Sequence, residues 1–518
     1  MNGMNPGMDR GMGSSPNMVP NLKEYGSYES TEPNGLPVVK KTELITLTED
    51  STYTITAEKV QKKIAGRTVA MYGYNRMIPG PLFIAKKGMK STVVFENKLD
   101  KPSVVHWHGL RGNYLFDGVP GLGQNVVMPS ESFTYKLEFP DDGVYWYHSH
   151  VRGDAQQDLG LSGNIFVSGL DEKIGAADAS DYLLLDDILL DQTGIVPYGE
   201  TVTTFAIMGR YGNILLVNGD TEYARSARTG EVLRLYFTNA ASVRPFNIQI
   251  PGARMKLVAG DNGAYLRQEF ITNFTISPGE RYVIDVVFDK PGKYELRADN
   301  PLAEHLLGTF SVTSGEPTSA AQAFNDLKVN AELAAEISRL QSTINGPVDR
   351  DLLLDINIRG MDMMGMEMEE SHEGIEWEDT MAGMAVFTNE KVEWIIRDNA
   401  TGLQNKDVTI KATIGDSEKW RITNIANNAH PMQHPIHLHG QRFLVTAIDG
   451  EPVTNPVWKD VVLVPIGHTV DIVVDYTNAG EWMLHCHIAE HMESGMFTYV
   501  SVAEKDGMIY PKIGEEMH

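Results

Sequence analysis

A single cysteine, Cys486, is all the thiol chemistry in this 518-residue chain. That excludes an intramolecular disulfide and singles out the one residue able to supply a thiolate. Basic residues are also short, 44 against 69 acidic, for a formal charge of −25. A surface of that sign repels phosphate backbones, so nucleic acid is not an expected partner, whereas cations are drawn in. No apolar run reaches the roughly 18 residues a spanning helix needs, so no transmembrane segment is expected. The N-terminus, MNGMNPGMDRGMGSSPNM, lacks the basic and apolar regions of a signal peptide. Charged residues at 22% and hydrophobic residues at 42% are those of a globular protein rather than a disordered one.

What is present is a threefold repeat of strand-forming segments. They pair as residues 91–109 with 130–150, 231–252 with 278–300, and 418–440 with 467–487. Within them side chains alternate with period two, as in Val283, Asp285, Val287 against Ile284, Val286, Phe288. Asp142-Gly143, Pro291-Gly292 and Ala479-Gly480 mark the turns. The pattern predicts an all-β chain of three consecutive Greek-key β-sandwiches. Their expected bounds are 38–170, 171–315 and 347–518, after a Met/Gly-rich tail over 1–37. A linker over 316–346 is expected to hold a helix from Ala320 to Leu340, with Phe324, Leu327, Leu333, Ile337 and Leu340 at helical spacing. Methionine is concentrated, five in the first 18 residues and seven in 361–384, both segments rich in Gly and acids and expected to be mobile.

Ten of the 15 histidines fall in four clusters: His106-Trp107-His108, His148-Ser149-His150, His434-Pro435-Ile436-His437-Leu438-His439, and His485-Cys486-His487 with His491. The middle repeat is an internal control. Where the outer repeats read HWHG and HLHG it reads Gln249-Ile250-Pro251-Gly252, and opposite HSH and HCH it reads Ala298-Asp299, so the fold itself does not demand histidine. On a strand, residues i and i+2 share a face and i+1 takes the other. Each H-x-H pair thus aims two imidazoles into one cavity, while Cys486 and His434 point to the opposite side. Two metal sites follow. His434, Cys486, His491 and an axial Met496 describe a blue-copper electron-transfer centre. His106, His108, His148, His150, His437, His439, His485 and His487 are too many for one zinc ion and suit a cluster of copper ions.

FDGVPG (116–121), YWYHSH (145–150), HPIHLHG (434–440) and HCHIAEHMESGMF (485–497) resemble the multicopper oxidases, most nearly the bacterial copper-resistance and copper-efflux branch. The resemblance implies three cupredoxin domains and four coppers. His106 and His437 would bind a type 2 ion; His108, His148 and His487 one type 3 ion; His150, His439 and His485 the other. It implies one-electron oxidation of a reductant coupled to four-electron reduction of O2 to water. Asp117 matches an acid that orients a water near the type 2 ion. Several relatives place a proton-delivering Glu directly after the blue-copper histidine, where this chain has Met492, leaving Glu490 and Glu493 as its replacements.

Thioethers favour Cu(I) and carboxylates harder ions. In similar copper-efflux oxidases a Met-rich insert covers the blue-copper edge. Met361, Met363, Met364, Met366 and Met368, with Met432 beside the copper-binding motif, are therefore candidate contacts for Cu(I), with Fe(II) as a second donor. A laccase acting on phenols or aromatic amines is the alternative, and a copper-storage or electron-carrier protein a third reading that leaves the cluster without purpose. The branch implies a periplasmic or extracellular location.

Overall fold

The computed structural model describes Tyr28 and residues 32–49, 51–359, 373–379, 381 and 383–507. The period-two patterning folds as expected into strands, stacked as three successive two-sheet sandwiches. One sheet of each sandwich carries the motif strands. In the first repeat it runs Leu44–Thr46, Leu82–Lys86, Ser162–Ser168, Gly143–His148, His106–His108. The third repeat has the same neighbours: Phe497–Ala503, Gly480–Cys486, His434–Leu438. The middle repeat matches with Leu306–Thr313, Gly292–Ala298, Phe246–Gln249.

Register makes the equivalence exact to the residue. His106 pairs with His148, and His437 with His485. In the middle repeat the same cross-strand pair is Gln249 and Arg297. The glycine closing each motif is a backbone requirement common to all three: Gly109, Gly252 and Gly440 have φ of +84°, +83° and +60°, the left-handed region where a side chain is strained. Glycine there belongs to the fold, and histidine does not.

The linker departs from the expected single helix. A short helix, Ser319–Gln322, ends before Phe324, and a second runs Ala331–Ile344. The cause is local: the Asn330 side chain accepts the Leu333 N–H at 3.1 Å and starts the second helix. Phe324 instead packs against Val232 and Val287 of the middle repeat. Leu327, outside both helices, is 48% exposed. No helix among the described residues is long and apolar enough to cross a membrane.

The expectation that 361–384 is mobile throughout also needs correction. Residues 373–379 are pinned: Glu376 N–H donates to Gln433 Oε1 at 3.0 Å, and the Glu376 carbonyl accepts from Gln433 Nε2 at 3.1 Å and from the Tyr211 hydroxyl at 2.7 Å. Arg244 donates to the Trp377 carbonyl and the Glu378 carboxylate. Trp377, Ile375 and Met384 are buried.

Candidate metal centre

Strand Gly480–Cys486 sends consecutive side chains to opposite faces, and the sites grow from that. On one side Cys486 Sγ lies 3.5 Å from His434 Nδ1 and 3.7 Å from His491 Nδ1, with the two nitrogens 3.3 Å apart. A trigonal ion with bonds of about 2.0 Å to nitrogen and 2.3 Å to sulfur spans edges of about 3.5 and 3.7 Å. The triangle therefore fits one ion at its centre. All three residues are buried, and burial, with a smaller push from Glu490, drives the Cys486 thiol pKa far up; a coordinated cation is what stabilises a thiolate there. Met496 is buried in the same apolar cluster, and its carbonyl accepts the Cys486 N–H at 3.1 Å. Trp394 stacks on His491 at 4.1 Å and meets His434 edge-on at 4.9 Å. Its indole N–H is held by the Ala206 carbonyl of the middle repeat.

On the other side the eight remaining rings converge, none more than 8% exposed. Burial drives down their pKa values, with repulsion from neighbouring rings adding to it for all but His150: His485 to about 3, His150 to about 4, and the other six well below the ordinary value. They are neutral rings with lone pairs to offer. Carbonyl acceptors fix which nitrogen offers one. Nδ1–H donates from His106 to Asp117 O, from His437 to Asp460 O, from His148 to Ser149 O and from His485 to Cys486 O. Among the described residues the opposite nitrogens of His106, His148 and His437 then have no partner, nor do His108 Nδ1, His150 Nε2 or either nitrogen of His487. Each such buried atom costs about 1–3 kcal/mol unless something binds it. Donor atoms lie within 4.8 Å of one another in three sets: His106, His108, His437; His108, His148, His487; and His150, His439, His485.

Two aspartates cross-brace the cavity. Asp117 holds His106 of its own repeat by its carbonyl, and its Oδ2 accepts from His439 Nδ1 of the third repeat at 2.8 Å. Asp460 does the converse: its carbonyl holds His437 of its own repeat, and its Oδ1 accepts from His108 Nε2 of the first repeat at 3.0 Å. Their charges are managed differently. Arg281 of the middle repeat grips Asp460 with two 2.6 Å hydrogen bonds. Even so, burial raises the Asp460 pKa to about 6. Among the described residues no cation pairs with Asp117, and burial holds its pKa well above the carboxylate range.

Three family models described as "Multicopper oxidase" match residues 56–172, 192–317 and 362–506. The chain belongs to the multicopper oxidases. Among its relatives, Multicopper oxidase MmcO of Mycobacterium tuberculosis is 27% identical over 485 residues, spanning 86% of each chain. Laccase-1 of Botryotinia fuckeliana is 26% identical, spanning 85% of this chain and 80% of its own. In fold the chain is similar to a multicopper oxidase from Campylobacter jejuni, described as a metallo-oxidase, with a TM-score of 0.67 at 20% identity over 91% of this chain and 98% of that one.

A multicopper oxidase is an oxidoreductase that carries copper and uses O2 with a reductant. The donor set here fits that metal: a trigonal N2S triangle on one face, and neutral imidazoles with orphaned nitrogens on the other. The acids expected by position separate. Asp117 meets the cluster, whereas Glu490 and Glu493 make no hydrogen bond to a histidine among the described residues. Glu490, on helix Ala489–Glu493, accepts from the Ser242 hydroxyl at 2.9 Å, and burial raises its pKa to about 8. Glu493 is raised to about 7 by burial and by Asp154, across from it on Gly153–Gln156. Asp460 and Arg281 were missed by sequence reasoning. Asp460 lies 23 residues past His437 in a Trp-Lys-Asp run, and Arg281 comes from the repeat without ligands. Met432 is fully buried. Met361, Met363, Met364, Met366 and Met368 lie outside the described residues.

Proposed function

We propose that this multicopper oxidase takes its electrons from Cu(I), with Fe(II) as a lesser donor, and reduces O2 to two waters. We place the reaction in the periplasm or outside the cell on the family resemblance. His434, Cys486 and His491, with Met496 beside them, would hold the blue copper. His106 and His437 would hold the type 2 ion, with His108, His148, His487 and His150, His439, His485 holding the type 3 pair. When bound, copper would supply the one-electron redox chemistry that links a single-electron donor to the four-electron reduction of O2. The chain supplies the rest. Cys486 joins the sites through one peptide bond on either side, giving an electron a covalent route to His485 and His487. Asp117 orients His106 and His439 and holds a proton at the cluster; Glu490 and Glu493 serve as proton carriers in place of the acid missing at Met492.

The observation that carries the Cu(I) reading is the pinning of Glu376 to Gln433, the residue before His434. It fixes residue 376 beside the blue-copper motif, and Met368 is eight residues along the chain from Glu376. The name of the Botryotinia relative favours the second reading, a laccase. Steady-state O2 uptake with Cu(I), Fe(II) and a phenol, before and after deletion of residues 361–372, separates the two. Loss of Cu(I) oxidation with phenol oxidation kept or raised supports the metallo-oxidase; Cu(I) oxidation unchanged by the deletion counts against it.

A further inference from the structure

Each H-x-H pair carries a middle residue on the face away from its imidazoles, and the two outer repeats anchor that residue by different means. In the third repeat it is Cys486, in the triangle with His434 and His491, and its carbonyl accepts from His485 Nδ1 at 2.8 Å. In the first repeat it is Ser149, whose carbonyl accepts from His148 Nδ1 at 3.0 Å in the same way. The Ser149 hydroxyl, fully buried, donates to Gln156 Oε1 at 2.7 Å and accepts the Val151 N–H at 3.3 Å. A hydrogen-bonded amide thus holds in the first repeat what a metal–thiolate bond would hold in the third.

The Gln156 amide is saturated. Its Oε1 also accepts from the Ser103 hydroxyl at 2.8 Å, and its Nε2 donates to the Pro102 carbonyl and the Tyr28 hydroxyl, both at 2.7 Å. Those bonds fill every donor and acceptor position of the amide. They also set its orientation, since a reversed amide would put Oε1 against the Pro102 carbonyl, which can only accept. The chain bends back sharply to bring Gln156 there. Arg152, two residues past His150, has φ of +47°, in the left-handed region that strains a residue with a side chain. Its carbonyl accepts the Ala155 and Gln156 N–H groups at 2.9 and 2.7 Å. Its guanidinium donates to both Asp154 oxygens, at 2.8 and 3.0 Å, and lies 4.6 Å from the centre of the Tyr28 ring. Tyr28, only 3% exposed, therefore closes the assembly twice, with its hydroxyl on Gln156 and its ring against Arg152. It comes from the segment that composition marks as a tail.

We propose that Gln156 and Tyr28 are positioning residues for the trinuclear site: they fix Ser149, and through it His148 and His150, so that a residue of the N-terminal tail completes the centre. The two histidines belong to different donor sets, His148 with His108 and His487, and His150 with His439 and His485. A shift of Ser149 therefore alters the spacing between the two sets rather than one ligand alone. No hydrogen bond of this network reaches His434, Cys486 or His491, so the blue centre serves as an internal control. The inference rests on the copper placement proposed above and holds for either electron donor.

The test uses the copper-loaded full chain and reads the near-UV absorption of the coupled type 3 pair beside the blue absorption. Gln156→Leu removes the amide and keeps much of the volume. The expected result is loss of most of the near-UV absorption, a new EPR signal from uncoupled copper, and unchanged blue absorption. Tyr28→Phe removes one oxygen and keeps the ring. Type 3 copper should then pass to a chelator about fivefold faster than in the parent, the worth of one neutral hydrogen bond, while the blue copper leaves at the parental rate. Ser149→Ala combined with Gln156→Leu should be no worse than Gln156→Leu alone, because both remove the same bond. Near-UV absorption that is unchanged in Gln156→Leu would overturn the inference. So would near-UV and blue absorption falling in step, because the role would then be general stability. If Gln156→Leu does not fold, Tyr28→Phe decides, and parental release of type 3 copper overturns the inference. A wild-type enzyme without the coupled-pair absorption would overturn the copper placement, and this inference with it.

Discussion

The outer repeats and the middle repeat place different residues at one structural position. In the outer pair the facing residues are His106 with His148 and His437 with His485, and the Nε2 atoms of His106, His148 and His437 have no partner among the described residues. In the middle repeat the facing residues are Gln249 and Arg297, and both donate to Asp299, at 2.7 and 2.8 Å. The middle set satisfies itself with a side-chain network. The outer sets use one nitrogen of most rings on a protein oxygen and leave the other bare or, for His439 and His485, facing a second imidazole nitrogen at 2.9 Å. A sandwich of this kind can close the position with ordinary hydrogen bonds, so the bare nitrogens of the outer repeats are what a bound metal would satisfy. The middle repeat acts indirectly, through Arg281 on Asp460 and the Ala206 carbonyl on Trp394.

That contrast can be broken at several points. The largest effect is expected from Cys486→Ser, which removes the one thiolate: the blue absorption vanishes and turnover falls to background, with circular dichroism unchanged. Retained colour would contradict the triangle with His434 and His491.

Arg281→Met comes next. It strips a buried carboxylate of its bidentate partner, and breaking such a pair costs about 3–5 kcal/mol. A matching drop in unfolding free energy is expected, together with loss of trinuclear-site copper while the blue absorption remains. Loss of the blue centre alone would place Arg281 outside this arrangement.

Asp117→Asn tests the unpaired brace. An amide keeps the shape and loses the acid proton, so reoxidation of the reduced enzyme by O2 should slow about 10²–10³-fold, within the range for general acid catalysis. Reduction of the blue copper should be untouched. Equal slowing of both steps would remove Asp117 from proton handling.

The smallest effect is expected from a graft. Gln249→His with Pro251→His rebuilds the H-x-H-G motif in the middle repeat, yet the copper count should stay at the parental value, since the pair faces Arg297 and Asp299 rather than a second histidine pair. A gain of bound copper would mean that the motif alone suffices.

Much of this was legible in the sequence for a physical reason. Strand periodicity fixes which side of the backbone each residue takes, so His485, Cys486 and His487 declare two sites without coordinates. The three sandwiches were legible from the same alternation. Contacts between distant segments were not, because nothing in a one-dimensional spacing brings Arg281 to Asp460, 179 residues away, or Tyr28 to Gln156, 128 residues away. The linker misled because its apolar spacing runs through Asn330, whose side chain starts a new helix; an asparagine three residues before Leu333 was the available signal. The Met-rich segment misled in part because composition spoke for all of 361–384, while Ile375, Trp377 and Met384 are buried anchors within it.

The central claim is that one strand serves two centres from its two faces. Anomalous diffraction at the copper edge from crystals of the loaded enzyme tests it most directly. The account predicts one ion inside the His434–Cys486–His491 triangle, the remaining ions among the eight converging imidazoles, and none beside Gln249 and Arg297. A single ion shared by the Cys486 sulfur and the rings of His485 and His487 would contradict it.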